Sequence, residues 1–247
     1  MLRLLCVTAH PDDEAGGFGG TLLHYARKGV ETHVLCLTPG QAATNRAGAK
    51  NDDELAAMRR REFAAACKIL NVTHGEVMDY PDARLYRIDF YTAVEDLTRR
   101  MRSIRPQVVI TMGPEGSITA HPDHSMVSLF ATMAFHWAAR NNRFPEQLKQ
   151  GLDVHKAQKL YYTSATFTIP ERPPVFLPPI TASVDAGEFL EAKIAAFKAH
   201  TSQTPLFAAV EATLRKRGAK EHFHLAAAAT PRTVEQETDL FAGVAAD

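Results

Sequence analysis

The fold is decided by residues 2–28, which read LRLLCVTAHPDDEAGGFGGTLLHYARK. Residues 2–8 form a short apolar run that is typical of a buried strand. The segment 15–28 places its leucines and Tyr25 at a spacing that predicts a helix. Between the two lies HPDDE, residues 10–14, whose proline favours the first turn of a helix. These residues therefore predict a strand, a polar turn and a helix.

The rest of the chain repeats this alternation. Asn51 and Glu54 have the spacing of a capping box, which predicts that a long helix begins there and runs to residue 70. The other predicted elements are strands over 31–38, 76–80, 106–112, 159–164 and 180–184, and helices over 90–103, 125–139 and 185–199. Strands that alternate with helices imply parallel crossovers. The predicted fold class is therefore α/β, a Rossmann-like three-layer sandwich with a mostly parallel sheet.

Length and composition restrict the organisation and the partners. A chain of 247 residues without a visible linker fits a single domain over residues 1–247, in which the structure of the alanine-rich segment 226–247 is left open. The 28 basic residues balance the 28 acidic ones, so no global field attracts nucleic acid or an anionic membrane. This balance favours a small-molecule substrate, and self-association into a homo-oligomer is left open.

The three cysteines indicate the compartment. Cys6, Cys36 and Cys67 are odd in number, widely spaced and surrounded by apolar residues, which is typical of buried thiols and not of a disulfide framework. The first residues lack the features of a signal peptide, and the sequence contains no apolar stretch of about 20 residues. We therefore expect a cytoplasmic protein without a membrane anchor.

Two short motifs repeat one another, HPDDE at residues 10–14 and HPDH at residues 121–124. One such motif is explained as well by a helix start as by a metal site, because proline is favoured at the first helical position. Two copies that each carry a further ligand favour the metal site. Both follow predicted strands, and open α/β sheets bind ligands at the carboxyl ends of their strands. The two motifs are therefore expected to meet.

The ligand types indicate the chemistry. No cysteine lies near either motif, so the available ligands are histidine nitrogen and carboxylate oxygen, which suit zinc or another divalent ion. Such an ion supports hydrolysis, because it polarises a carbonyl group and acidifies water. The motifs contain more ionisable groups than ligation needs, so the surplus carboxylate and imidazole are candidates for a general base and an oxyanion partner.

The two motifs together resemble the LmbE-like, or PIG-L, superfamily of metal-dependent N-acetylglucosamine deacetylases. Further landmarks place the resemblance over about residues 1–225. They are Gly19-Gly20-Thr21, Arg59-x-x-Glu62, Tyr80-Pro81-Asp82 and the segment KIAAFKAHTSQ at residues 193–203.

The resemblance implies a zinc-dependent hydrolase that removes the N-acetyl group from a small glycoside containing N-acetylglucosamine, with water held by the metal as the nucleophile. It implies that zinc, or another divalent metal, is bound by His10, Asp13 and His124. It implies that Asp12 is the general base, that His121 stabilises the oxyanion or protonates the leaving amine, and that Asp123 orients His121. It also implies that Arg59 and Asp82 hold sugar hydroxyl groups.

The sequence is also compatible with several other functions. An amidase that cleaves a larger thiol conjugate would use the same site. A non-catalytic α/β domain that binds a small molecule is suggested by the glycines at residues 16–20, although Leu22 stands where the third glycine of GxGxxG belongs. A serine hydrolase is disfavoured because the sequence has no G-x-S-x-G motif.

Four charged residues have ordinary structural interpretations. Arg59 and Glu62 are spaced as a helix ion pair. Lys193 on an apolar helix face is expected to extend to solvent or to form a salt bridge, and His200 is expected to contact the last carbonyl groups of a helix.

Overall fold

The protein forms one seven-stranded sheet with helices on both faces, in a computed structural model that describes residues 1–169 and 171–246. The strands are β1 (Arg3–Thr8), β2 (Glu31–Cys36), β3 (His74–Val77), β4 (Val108–Thr111), β5 (Lys159–Ser164), β6 (Ala182–Asp185) and β7 (Lys220–Ala228). The α-helices are α1 (Asp13–Arg27), α2 (Asp52–Ile69), α3 (Phe90–Ile104), α4 (Pro122–Ala138), α5 (Pro145–Lys149), α6 (Leu190–Lys198) and α7 (Phe207–Arg217).

The strand order is β3-β2-β1-β4-β5-β7-β6. β1 to β5 run parallel, and β7 pairs antiparallel with both β5 and β6. The predicted α/β class with a mostly parallel sheet is therefore confirmed. β1 lies at the centre between β2 and β4, which is the switch point where doubly wound sheets bind ligands.

The sheet separates two hydrophobic cores. Successive side chains of β1 point to opposite faces, so Leu4 and Cys6 belong to one core and Leu5 and Val7 to the other. All four are fully buried, because helices cover both faces of the sheet. The apolar run at residues 2–8 is therefore the central strand of a three-layer structure.

Three elements were not predicted from the sequence, namely α5, α7 and β7. β7 begins among charged residues and ends in alanines, so its pattern of apolar residues is weak. The sequence therefore does not predict the antiparallel pairing of β7 with β5 and β6.

The last part of the chain, whose structure the sequence does not predict, returns to the sheet after β7. The main chain of Glu237 exchanges hydrogen bonds with the segment at Thr181 and Ser183, each 2.9 Å long. Asp239 accepts a 2.9 Å hydrogen bond from the hydroxyl group of Tyr25. These contacts tie the tail to α1 and β6, and organisation as a single domain stays our prediction.

None of the helices in the described ranges combines the length and the apolar character needed to cross a membrane. The three cysteines are free and buried, as their surroundings predicted.

Candidate active site

The HPDDE motif forms the turn between β1 and α1. Asp12 is the N-cap residue of α1 and has φ 121° and ψ −25°, a left-handed conformation that non-glycine residues seldom adopt. Asp13 and Glu14 occupy the first turn, where the helix dipole favours carboxylates. The end of the central strand therefore presents a row of charged side chains.

His10 lies among three carboxylates. Its Nε2 is 3.1 Å from Asp82 Oδ1 and 3.4 Å from Asp123 Oδ2, and its Nδ1 is 3.5 Å from Asp13 Oδ2. Burial would lower the pKa of His10, but hydrogen bonds to Asp123, Asp13 and Asp82 raise it well above its usual value. This part of the site therefore attracts positive charge.

Asp13 stands between two imidazole rings, because its Oδ1 lies 3.2 Å from His124 Nε2 while its Oδ2 faces His10. Asp13 Oδ2 also accepts the main-chain N–H of His10 at 2.8 Å. Burial would raise the pKa of Asp13, but the charge of His124 and the hydrogen bonds from both histidines hold it well below its usual range. Asp13 is therefore a carboxylate at neutral pH.

The HPDH motif begins α4, with His121 as N-cap residue and Pro122 in the first turn. The ring centroid of His121 is 4.7 Å from that of His10 and 5.1 Å from that of His124. Its Nδ1 accepts the main-chain N–H of Asp123 at 3.2 Å, so the neutral ring carries its proton on Nε2. Burial and the charges of His10 and His124 lower the pKa of His121.

The carboxylate of Asp123 faces His10 and the loop after β3. It accepts the main-chain N–H groups of Ala83 at 2.7 Å and Leu85 at 3.2 Å. The expected contact with His121 is instead made by the Asp123 main chain. The physical reason is that the loop after β3 supplies two N–H donors to a fully buried carboxylate.

Arg59 enters the site from α2 and is buried. Its Nη2 donates to Asp12 Oδ2 at 2.9 Å and to the carbonyl oxygen of Pro11, and its Nη1 donates to the carbonyl oxygen of Gly40 at 3.0 Å. Glu62, its expected ion-pair partner on the same helix, accepts hydrogen bonds from Thr201 and Ser202. Arg59 therefore contacts the site and not Glu62.

The structure brings every predicted site residue to the carboxyl ends of the central strands, where six of them form one network of contacts around His10, and Arg59 pairs with Asp12 beside it. These site residues are His10, Asp12, Asp13, Arg59, Asp82, His121, Asp123 and His124. Asp82 joins the network from the loop after β3, where its Oδ2 accepts the N–H of Ala42 at 2.8 Å. The sequence analysis does not assign Glu14 and His200 to the site. The only sequence feature that points to His200 is its place in the segment KIAAFKAHTSQ.

The electrostatics of the network fit a bound cation. Four carboxylates lie here with one guanidinium, that of Arg59. Burial raises the pKa of Asp12 to about 6, although Arg59 opposes this change. Among the described residues, two sets of three side chains place donor atoms within 4.8 Å of one another. The first set is His10, His121 and His124, and the second is His10, Asp82 and Asp123. Nitrogen and oxygen donors of this kind suit zinc and other divalent ions.

The fold and this cluster define an α/β protein with a candidate metal centre at the carboxyl ends of its central strands. The model of the family described as GlcNAc-PI de-N-acetylase, PIG-L, matches residues 5–135, more than half of the chain. The chain belongs to this family, whose members are metal-dependent N-deacetylases, and the resemblance seen in the sequence is confirmed.

Named relatives agree with this assignment. A 1D-myo-inositol 2-acetamido-2-deoxy-alpha-D-glucopyranoside deacetylase from Acidothermus cellulolyticus is 30% identical over 99% of this chain and 96% of its own length. Diacetylchitobiose deacetylase from Thermococcus kodakarensis is 30% identical over 82% of this chain and 70% of its own length. The solved structure of N,N'-diacetylchitobiose deacetylase from Pyrococcus horikoshii has a TM-score of 0.74 at 23% identity, and covers 90% of this chain and 83% of its own. At this identity, the similarity to the Pyrococcus horikoshii structure shows a shared fold.

Proposed function

We propose that this protein is a zinc-dependent deacetylase that hydrolyses the N-acetyl group of a small glycoside containing N-acetylglucosamine and releases acetate. The observation that carries the proposal is the position of Asp13, whose two oxygens face one nitrogen of His10 and one nitrogen of His124. The activities named for the relatives from Acidothermus cellulolyticus and Thermococcus kodakarensis support the substrate class.

We assign the metal to His10, Asp13 and His124, a set that combines two histidines of the convergent three-histidine group with the carboxylate that lies between their rings. This set of two imidazoles and one carboxylate is one that catalytic zinc sites use, with a position left for water. When bound, zinc polarises the acetyl carbonyl group and lowers the pKa of water toward about 7. His124 donates its Nδ1 proton toward the carbonyl oxygen of Gly116 at 3.2 Å, which orients its Nε2 toward Asp13.

We assign proton transfer to Asp12 and His121. Arg59 binds Oδ2 of Asp12, so Oδ1 is the oxygen that we expect to take the proton of the attacking water. The Nε2–H group of His121 is the donor that we expect to stabilise the oxyanion or to protonate the leaving amine. Asp123 contributes by orienting His10.

The predicted contacts of Arg59 and Asp82 with sugar hydroxyl groups stay predictions. Their observed partners are Asp12 for the guanidinium and His10 for the carboxylate. The cytoplasmic location also stays a prediction, which the three buried thiols support.

The experiment combines elemental analysis with acetate release from a panel of N-acetylglucosaminides, measured before and after chelation. We expect about one zinc per chain, release from at least one glycoside, and loss of release on chelation. Release that resists chelation would contradict the metal mechanism. Cleavage only of thiol-conjugate amides would establish the amidase alternative, and binding without cleavage would establish the non-catalytic alternative.

Two variants test the assigned roles. The Asp12→Ala protein is expected to keep its zinc. Its kcat is expected to fall about a hundredfold or more, because a general base contributes a rate enhancement of this size. His124→Ala is expected to lose zinc itself. An Asp12→Ala protein without metal would show that Asp12 is a ligand and not the base.

A further inference from the structure

We infer that Glu14 is a positioning residue, which His200 orients and which holds the main chain of Asp12 in the conformation that the reaction needs. The inference rests on the proposed function, because it concerns the residue to which we assign proton transfer.

The main chain of Asp12 is strained. A φ of 121° lies in the region that favours glycine, and a non-glycine residue keeps such a conformation only where its surroundings hold it. The strain turns the Asp12 carboxylate toward Arg59, which it meets at 2.9 Å. A second contact must therefore fix the main chain of this residue.

Glu14 supplies that contact. Its Oε2 accepts the main-chain N–H of Asp12 at 3.0 Å, as a first-turn glutamate does when it caps the residue that begins its own helix. Its Oε1 lies 2.7 Å from His200 Nε2, and both side chains are completely buried. A buried carboxylate needs such partners, so the imidazole fixes the orientation in which Glu14 meets Asp12.

His200 is itself held by α2. It directly precedes a 3-10 helix at Thr201–Leu206, where Glu62 accepts hydrogen bonds from Thr201 Oγ1, Ser202 N and Ser202 Oγ, each 2.7 Å long. A chain of contacts therefore leads from α2 through this 3-10 helix and His200 to Glu14 and Asp12. This gives the segment at residues 193–203 a role behind the site, without contact to the metal ligands.

A second buried ion pair beside α1 serves as the control, and it joins Glu221 on β7 to Lys193 on α6. Glu221 accepts the main-chain N–H groups of Gly20 and Thr21 on α1, at 2.9 Å and 2.8 Å. Lys193 on α6 donates to it at 2.5 Å, and both side chains are buried. Glu221 resembles Glu14 in burial and in binding main-chain N–H groups of α1, but it does not contact Asp12.

The experiment compares Glu14→Ala, Glu14→Gln and Glu221→Ala as zinc-loaded enzymes. We expect Glu14→Ala to lower kcat at least about tenfold, with KM and zinc content within about twofold of the parent protein. Glu14→Gln is expected to recover most of kcat, because its amide oxygen still accepts the Asp12 N–H group. Glu221→Ala is expected to lower the melting temperature as Glu14→Ala does, with kcat unchanged.

A readout without catalysis completes the test. Hydrogen exchange of the Asp12 amide, followed by NMR, is expected to accelerate in Glu14→Ala and to stay slow in Glu14→Gln and Glu221→Ala. Should Glu14→Ala not fold, Glu14→Asp keeps the charge but is too short to reach the Asp12 amide, and the same losses are expected.

An Asp12 amide that stays protected without Glu14, or equal losses of kcat in Glu14→Ala and Glu221→Ala, would overturn the inference. A parent protein that releases no acetate but shows the expected exchange pattern would contradict the proposed function and leave the positioning contact established.

Discussion

Each imidazole of the site has two nitrogens, and the partner of one decides what the other can bind. Nδ1 of His124 lies 3.2 Å from the carbonyl oxygen of Gly116, so Nε2 faces Asp13. In His10 the order is reversed, because the carboxylates of Asp82 and Asp123 contact Nε2 and Nδ1 faces Asp13. These contacts orient both rings toward the same carboxylate.

Gly40 is required by the position of Arg59. Its φ is 68°, and a Cβ atom there would lie 2.0 Å from Arg59 Nη1. Gly40→Ala is therefore expected to displace the guanidinium from Asp12 and to lower both kcat and the free energy of unfolding. Denaturant titration and acetate release measure the two effects.

Gly48 in the same loop is the matched control. Its φ is 84°, and nothing lies within 4 Å of a Cβ atom there. Gly48→Ala is expected to cost about 1 kcal/mol for the backbone alone, without loss of kcat. Equal effects of the two substitutions would show that contact with Arg59 does not matter.

The sequence predicts which residues meet at the site but not all of their partners. His10 and His124 were predictable because the repeated motif follows two apolar strands. The direction of the Asp123 carboxylate was not, because it depends on N–H groups of Ala83 and Leu85, about 40 residues away in the chain. A contact of this kind is set by tertiary structure and leaves no local pattern.

At the scale of elements, the site exists because β1 and β4 are neighbours in the sheet. Their parallel pairing places the residues after Thr8 and after Thr111 at the same edge. Apolar runs predicted both strands. The sequence does not predict the antiparallel strand β7, because it begins among charged residues and ends in alanine, which has a weak preference for strands.

The tail after β7 is held by a buried ion pair. Glu237 lies 2.7 Å from Lys159 Nζ on β5 and also accepts the hydroxyl group of Tyr161. Glu237→Leu is expected to lower the free energy of unfolding by about 3–5 kcal/mol, because it leaves a buried lysine unpaired. The double variant with Lys159→Met is expected to recover a large part of that loss. Additive losses in denaturant titration would contradict this coupling.

The pairing of β2 with β3 is expected to depend on pH. His33 faces His74 in register, and burial together with the charge of His74 lowers the pKa of His33 from 6.5 to about 4. Protonation then favours the unfolded chain, so this contribution to stability is complete above about pH 6.5 and is lost as the pH falls toward 4.

His33→Gln removes this titration. Between pH 7 and pH 5 the parent protein is expected to lose more stability than the variant, as thermal melting at each pH would show. Between pH 8 and pH 7 the difference between the two proteins is expected to stay constant. Parallel melting curves across the lower range would refute the assignment.

For the whole molecule, the proposed metal site predicts that metal binding and stability are coupled. The carboxylates of the site come from α1, from α4 and from the loop after β3, and they are Asp12, Asp13, Asp82 and Asp123. Only the folded chain brings these segments together, so a cation at this site would bind only the folded state. A divalent ion at a hundredfold excess over its Kd would stabilise the folded protein by about 2.7 kcal/mol, which corresponds to about 5–10 °C in Tm for a chain of this size.

Chelation is therefore expected to lower the melting temperature by about that amount, and added zinc to restore it. His124→Ala is the control, in which the shift is expected to be small. An equal shift in the variant would place the stabilising ion elsewhere.

Anomalous X-ray diffraction at the zinc absorption edge, from crystals of the zinc-loaded protein, would locate the metal and its ligands. We predict one strong peak, about 2.0–2.2 Å from a nitrogen of His10, a nitrogen of His124 and an oxygen of Asp13. A peak held instead by His10, Asp82 and Asp123, or by three histidines without Asp13, would contradict the assignment of Asp13 as a metal ligand.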